Sequence, residues 1–166
     1  MFLLITGVPG CGKTTISSEI KRRYNKQKFI IINDLDFSKS NNLGVFDKDT
    51  NEYVVDLKKL NLEVKKYILK NSRKNLIFEG HLWAELSKQS LLIFDYIFII
   101  NISETKLRER LFERKYNVLK IEDNIFCQHT NYFSEIFKNK NVPHILINST
   151  DDLKLNIKKL EKYIKF

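Results

Sequence analysis

The apolar run Phe2-Leu3-Leu4-Ile5-Thr6 has the length of one strand and enters Gly7-Val8-Pro9-Gly10-Cys11-Gly12-Lys13-Thr14-Thr15 without a linker. This stretch fits the spacing G-x-x-x-x-G-K-[ST] at every fixed position. Behind it, Ile16 and Ile20 recur at the spacing of one helix face. Strand, glycine-rich turn and helix in this order constrain the fold more than any other part of the chain. Gly10 and Gly12 leave room for backbone N–H groups to turn inward, and the helix that starts here adds the positive end of its dipole. The pattern places Lys13 on the β and γ phosphates of a nucleotide such as ATP, and Thr14 on Mg²⁺ through its hydroxyl. An ordinary glycine-rich turn needs neither a lysine nor a hydroxyl at these points.

A chain of 166 residues is long enough for one core and short for two, so a single domain over residues 1–166 is expected. Its longest apolar run, around Tyr96 to Ile100, is far below membrane-span length, and no targeting peptide is readable. Cys11 and Cys127 are too few for a disulfide framework and suit a reducing compartment, hence a cytoplasmic protein, or a nuclear one if the source is eukaryotic. The formal charge of +9 comes mostly from lysines dispersed among Asn and Ile along helix faces, which argues for a solvated surface and against direct nucleic-acid binding.

Apolar runs at Phe29–Ile32, Asn75–Phe78, Phe94–Asn101 and His144–Asn148 supply four more strands, separated by helical patterns. The alternation predicts a three-layer α/β domain with a five-stranded, mostly parallel sheet, in which strand C-termini face the ligand crevice. Asn33-Asp34-Leu35-Asp36 ends the second strand, so Asp34 and Asp36 either lie near the phosphates or one of them caps the next helix. Residues Ser38 to Tyr53 show no sustained period and read as an irregular excursion on the substrate side. The third strand delivers Glu79-Gly80-His81 to the crevice. Glu79 sits where an acid would hold the metal or its water shell, or else is a surface glutamate. His81 is placed to orient a water or meet a phosphate, or else packs the loop. His129 and His144 read as structural.

Helix after the fourth strand turns Leu107 and Leu111 inward, and three of the six arginines, Arg108, Arg110 and Arg114, crowd its far end; the others are Arg22, Arg23 and Arg73. Arg110 and Arg114 share a face, and their planar forks fit phosphate oxygens, although the helix dipole alone would favour a cation there. One long amphipathic helix is expected from about Lys120 to Lys138 on the strength of Ile121, Ile125, Tyr132 and Ile136. The segment Ser149-Thr150-Asp151-Asp152 resembles a capping box for a last helix carrying Leu153, Ile157, Leu160 and Ile164. The loop Asn148–Thr150 falls on the crevice side, where its backbone would meet a base.

Four stretches together resemble the adenylate kinase isoenzyme 6 family, which joins archaeal adenylate kinases to a eukaryotic nuclear adenylate kinase and ribosome-assembly ATPase. They are Gly7–Thr15, Val54-Val55-Asp56-Leu57, Glu79-Gly80-His81-Leu82, and Arg108–Tyr116 followed by Lys120-Ile121-Glu122-Asp123-Asn124. The resemblance implies a P-loop NMP kinase core with an NMP-binding insertion near residues 33–55 and a short lid near 113–123. It implies ATP phosphates held by Gly10, Gly12, Lys13, Thr14, Thr15 and Arg114, and a catalytic strand-end motif containing Glu79 and His81. It further implies phosphate transfer between ATP and AMP or another NMP, slow ATP hydrolysis, and a ribosomal protein of the small subunit as partner. Two positions depart from the family. Lys115 replaces the glycine between the lid arginine and tyrosine, and residues 33–55 hold no arginine for the AMP phosphate, leaving Lys39 or Lys48 as point charges. A small-metabolite kinase of shikimate or gluconate type remains an alternative, hinted at by Asp34-x-Asp36 alone.

Overall fold

The computed structural model describes residues 1–49 and 51–164. Strand β1 (Phe2–Thr6) lies in the middle of a five-stranded sheet ordered β2-β5-β1-β6-β7, with β2 Ile30–Asn33, β5 Leu76–Glu79, β6 Tyr96–Asn101 and β7 Ile145–Asn148. All four pairings in it are parallel. β5 is buried at each residue. A strand buried on both pleated faces needs helices on each side, which is why the central strands β1, β5 and β6 read as continuous apolar runs. Their last residues change character. Thr6, Asn33, Glu79, Asn101 and Asn148 end the five strands, so the crevice beyond the C-terminal edge is lined by polar groups.

Register sets what meets there. Ile5 is level with Glu79 across β1–β5, and Asn33 is level with Glu79 across β2–β5. Chain order places β5 and β2 on one side of β1 and β6 and β7 on the other, so the loop after β1 stands at the topological switch point. Helices α1 (Lys13–Arg23) and α8 (Leu153–Glu161) pack beside each other, and α5 (Glu104–Glu113), α6 (Val118–His129) and α7 (Tyr132–Asn139) pack in series. Under the β5 end, Phe78 meets Trp83 and Phe94 edge-to-face at 5.1 Å, and Trp83 Nε1 donates to Glu79 O at 3.2 Å. That contact satisfies the buried indole and fixes the turn behind the acid.

Three local expectations change. In place of an irregular excursion over 38–53, α2 (Asp34–Ser40) leads to an antiparallel hairpin of β3 (Gly44–Asp47) and β4 (Glu52–Val55), separate from the main sheet. Its strands are four residues long, and Val45, Phe46 and Val54 stand at exposed positions, so the apolar residues do not mark which face is covered. Asp56 then caps α3 (Leu57–Lys70), accepting from Lys58 N and Lys59 N, and a short α4 (Lys88–Leu91) lies between β5 and β6 in the chain.

The long helix expected over 120–138 is two helices, α6 and α7, broken at Asn131, whose φ is 52°. Asparagine tolerates this left-handed conformation, and Thr130 turns its hydroxyl back to Phe126 O at 2.9 Å. The break shifts the apolar face of α7 by one residue. Phe133 and Phe137 are buried where Tyr132 and Ile136 were expected. Finally, α8 is capped by Asp152 alone, accepting from Lys154 N and Leu155 N, and not by a Ser149 capping box. No helix among the described residues is long and apolar enough to cross a membrane.

Candidate active site

Gly12 is the residue before α1, with φ 103°, a conformation that an L side chain adopts only under strain. That turn lets the helix begin at Lys13 directly under the loop. Lys13 is 9% exposed, and its Nζ donates to Gly7 O at 3.0 Å and Val8 O at 2.9 Å, drawing the loop around the ammonium. Next to it, Thr14 Oγ1 donates to the Glu79 carboxylate, 3.1 Å from Oε2 and 3.2 Å from Oε1. Asn33 Nδ2 reaches the same Oε1 at 2.9 Å, as the strand register dictates. Glu79 is 4% exposed, and both these donors are neutral. A buried carboxylate oxygen beside a hydroxyl, with no ammonium on it in this set, is the donor chemistry of a hard divalent cation, so the residues fit Mg²⁺.

The hydrogen bonds of Asp34 go to Leu35 and Leu82, not to the phosphate loop, and neither Asp34 nor Asp36 caps α2. The cap is Asn33, accepting from Leu35 N and Asp36 N; Asp36 is exposed in the first helical turn. Asp34 is buried, accepts from Leu82 N at 2.7 Å and Leu35 N at 2.8 Å, and presses on Gly80. A Cβ at Gly80 would stand 2.1 Å from the Asp34 carboxylate carbon, and φ there is 146°, so only glycine fits. Asp34 thus clamps the Glu79-Gly80-His81 turn from beneath. Its carboxylate lies 3.7 Å from His81 Nδ1, and the imidazole is half exposed toward the crevice. Burial holds the His81 pKa below its usual value against the pull of Asp34, and the nearby Lys13 charge adds to the lowering.

On the other side of the loop stands α5. Arg110 Nη1 donates to Gly10 O at 3.2 Å, and Nη2 lies 3.8 Å from Asp151 Oδ1. Arg110 and Arg114 line a pocket of about 180 Å³ with Gly10, Gly12 and Thr15 on one wall and Ser149 and Thr150 on another. Arg108 turns away. It pairs with Glu104 and Glu122 and ties α5 to α6, so two of the three clustered arginines face the crevice. His129 pairs with Glu104, and His144 with Ser134 Oγ at 2.7 Å, both away from the loop. Lys120 pairs with Glu52, bridging α6 and the hairpin.

Neither Asn33 nor Asn156 stood out in the sequence, the first because Asn33, Asp34 and Asp36 all suit a cap. The latter carried a readable signal: Leu153, Asn156, Ile157 and Leu160 form one helix stripe, and the asparagine in it is buried.

A family profile described as an AAA domain matches residues 3–131. The adenylate kinase isoenzyme 6 homologue of Plasmodium falciparum is 30% identical over 139 residues, covering 76% of this chain and 72% of its own length. The chain belongs to the adenylate kinase isoenzyme 6 family. The Saccharomyces cerevisiae homologue is 26% identical over 153 residues, 92% of this chain and 74% of its own. A Methanocaldococcus jannaschii relative, named provisionally as an adenylate kinase, is 33% identical over 128 residues, 75% of this chain and 65% of its own, so this chain spans just under two thirds of that protein. Among solved structures, shikimate kinase from Acinetobacter baumannii in complex with shikimate superposes with a TM-score of 0.63 at 14% identity, over 99% of this chain and 95% of that one. At that identity the likeness speaks for the fold alone.

Proposed function

We propose that this member of the family is a Mg²⁺-dependent nucleoside monophosphate kinase that moves the γ-phosphoryl group of ATP to AMP or another NMP. The observation that carries this reading is the Lys13–Thr14–Glu79 constellation, with Arg110 and Arg114 across the phosphate loop from it. The names of the relatives point the same way. Gly10, Gly12, Thr14 and Thr15 would present the loop to the ATP phosphates, and Lys13 would exchange loop carbonyls for β and γ oxygens. Thr14 and Glu79 would hold the metal, which supplies charge neutralisation at the phosphates when bound. Arg110 and Arg114 would close on the transferred group, and the acceptor phosphate oxygen is the nucleophile, so catalysis is positioning and electrostatics.

On the acceptor side, residues 33–55 contain no arginine. This favours a second reading, in which water replaces the NMP and ATP hydrolysis, with His81 orienting the water, gates binding to a small-subunit ribosomal protein. The NMP-binding segment at 33–55 and a lid at 113–123 belong to the first reading, where Lys39 or Lys48 would meet the acceptor phosphate. A coupled assay with ATP and a panel of NMPs, run beside plain ATPase and a pull-down of ribosomal proteins, separates the two. NMP-stimulated ADP formation upholds the kinase; ATP turnover indifferent to every NMP rejects it.

A further inference from the structure

Asn156 is a polar residue in the buried stripe of α8, and its amide is spent on the loop that precedes the helix. Nδ2 donates to Thr150 O at 2.7 Å and Ser149 Oγ at 3.1 Å, and Oδ1 accepts from Thr150 N at 2.8 Å and Thr150 Oγ1 at 3.2 Å. Two donors and two acceptances exhaust what a side-chain amide offers. Ser149 N is held from a second direction by Asn101 O at 2.7 Å, at the end of β6. A short crevice-side turn without regular hydrogen bonding of its own is thereby fixed from below and from the side. Such turns are otherwise among the first parts of a fold to open.

The turn is one wall of the pocket whose other walls are the phosphate loop and the α5 arginines. Phosphate-binding groups occupy two of those walls. This third wall offers backbone, hydroxyls and Asp151, the chemistry of a surface that meets base and ribose. We propose that Asn156 is a positioning residue of the donor site, which sets the Ser149–Thr150 backbone against the nucleoside and so governs nucleoside affinity without touching the phosphates. The inference rests on the donor-site reading given above. Leucine would fill the same space but leave Thr150 N without its acceptor. Aspartate would keep the acceptor and lose both donors, setting a carboxylate against Thr150 O.

Calorimetric titration with ADP and with inorganic tripolyphosphate tests it on the parent, the uncharged Asn156→Leu and the surface double variant Ser149→Ala/Thr150→Val. The expected result is a loss of roughly tenfold in ADP affinity for Asn156→Leu and a smaller loss for the double variant, with tripolyphosphate affinity unchanged in both. The double variant decides alone if Asn156→Leu does not fold. Unchanged ADP affinity overturns the proposal, and so does a parallel loss of both ligands in folded protein. A parent that binds tripolyphosphate and not ADP rejects the donor-site reading itself, and this inference with it.

Discussion

Thr14 Oγ1 lies 3.1 and 3.2 Å from the two oxygens of Glu79, although the residues are 65 positions apart in the chain. The β1–β5 register brings them together, and one neighbour on either side, Lys13 and Asn33, completes the set. Lys13→Ala or Thr14→Ala should therefore remove nucleotide-dependent turnover by at least about a hundredfold, the scale for losing one preorganised charge or donor. Circular dichroism should show the fold retained. Turnover near the parent level in either variant rejects the phosphate-loop roles.

Arg114 and Arg108 provide a matched pair, one facing the pocket and one ion-paired with Glu104 and Glu122 on the surface. Lysine at position 114 keeps the charge and loses the planar fork that reaches two oxygens at once, so Arg114→Lys should lose tenfold or more in kcat, by roughly 1.4 kcal/mol or more of transition-state stabilisation. Arg108→Lys should change kcat little. Equal effects in the two variants would show that the pocket-facing position confers no advantage.

The sheet was legible because every strand of it is an apolar run followed by a polar end, and the loop after β1 names its own context. What the chain hid was set by contacts between distant residues. Asp34 could be placed only once Gly80 was seen to leave room for its carboxylate, and Asn33 only once register put it beside Glu79. The hairpin strands Gly44–Asp47 and Glu52–Val55 have no fully buried residue, and three of their apolar side chains, Val45, Phe46 and Val54, are exposed, so residue type does not mark the covered face. The Asn131 break went unread because Tyr132 and Ile136 carry on the spacing of Ile121 and Ile125 in the sequence, whereas the left-handed residue turns Phe133 and Phe137 inward in their place. Arg108 looked like its neighbours until the partner carboxylates on α5 and α6 were in view.

His81 separates hydrolysis from transfer. It is half exposed at the crevice and backed by Asp34 at 3.7 Å. A role in orienting water makes His81→Ala lower ATP hydrolysis more than phosphate transfer to AMP, whose own oxygen needs no positioned water. Glu79→Ala should depress both. The measurement is ADP formed with and without AMP at saturating Mg²⁺; equal losses for His81→Ala would leave the histidine a packing residue.

Acid stability has an identifiable contributor in α1. Hydrogen bonds from Arg22 and then Arg23 pull the Glu19 pKa from 4.5 to about 2. A carboxyl whose folded pKa is depressed stabilises the fold above its unfolded value and loses that contribution as pH falls through the folded one. Glu19→Gln should thus be less stable than the parent at pH 7, and the gap should close between pH 4.5 and about 2. Urea midpoints at several pH values across that range measure it, and a gap that stays constant down to pH 2 excludes Glu19 as its source.

Lys115 occupies a position built for glycine. Lys115 N donates to Phe112 O at 2.8 Å and Tyr116 N to Leu111 O at 3.1 Å, the paired bonds that close a helix through one left-handed residue, and φ at Lys115 is 58°. A lysine there strains its Cβ against the following carbonyl by about 1–2 kcal/mol, whereas glycine has no Cβ and a larger unfolded-state entropy of about 0.5–1 kcal/mol. Strain is the larger of the two, so Lys115→Gly should raise stability by up to about 1 kcal/mol, a Tm increase of roughly 2–4 °C in a chain of this size. Lys115→Ala keeps the Cβ and should gain nothing, which separates relief of strain from removal of a positive charge. Arg114 is the residue immediately before this turn, so a helix end that closes without strain should also hold its guanidinium more uniformly over the pocket. If Lys115→Gly and Lys115→Ala melt together, the left-handed conformation is not what limits this helix end.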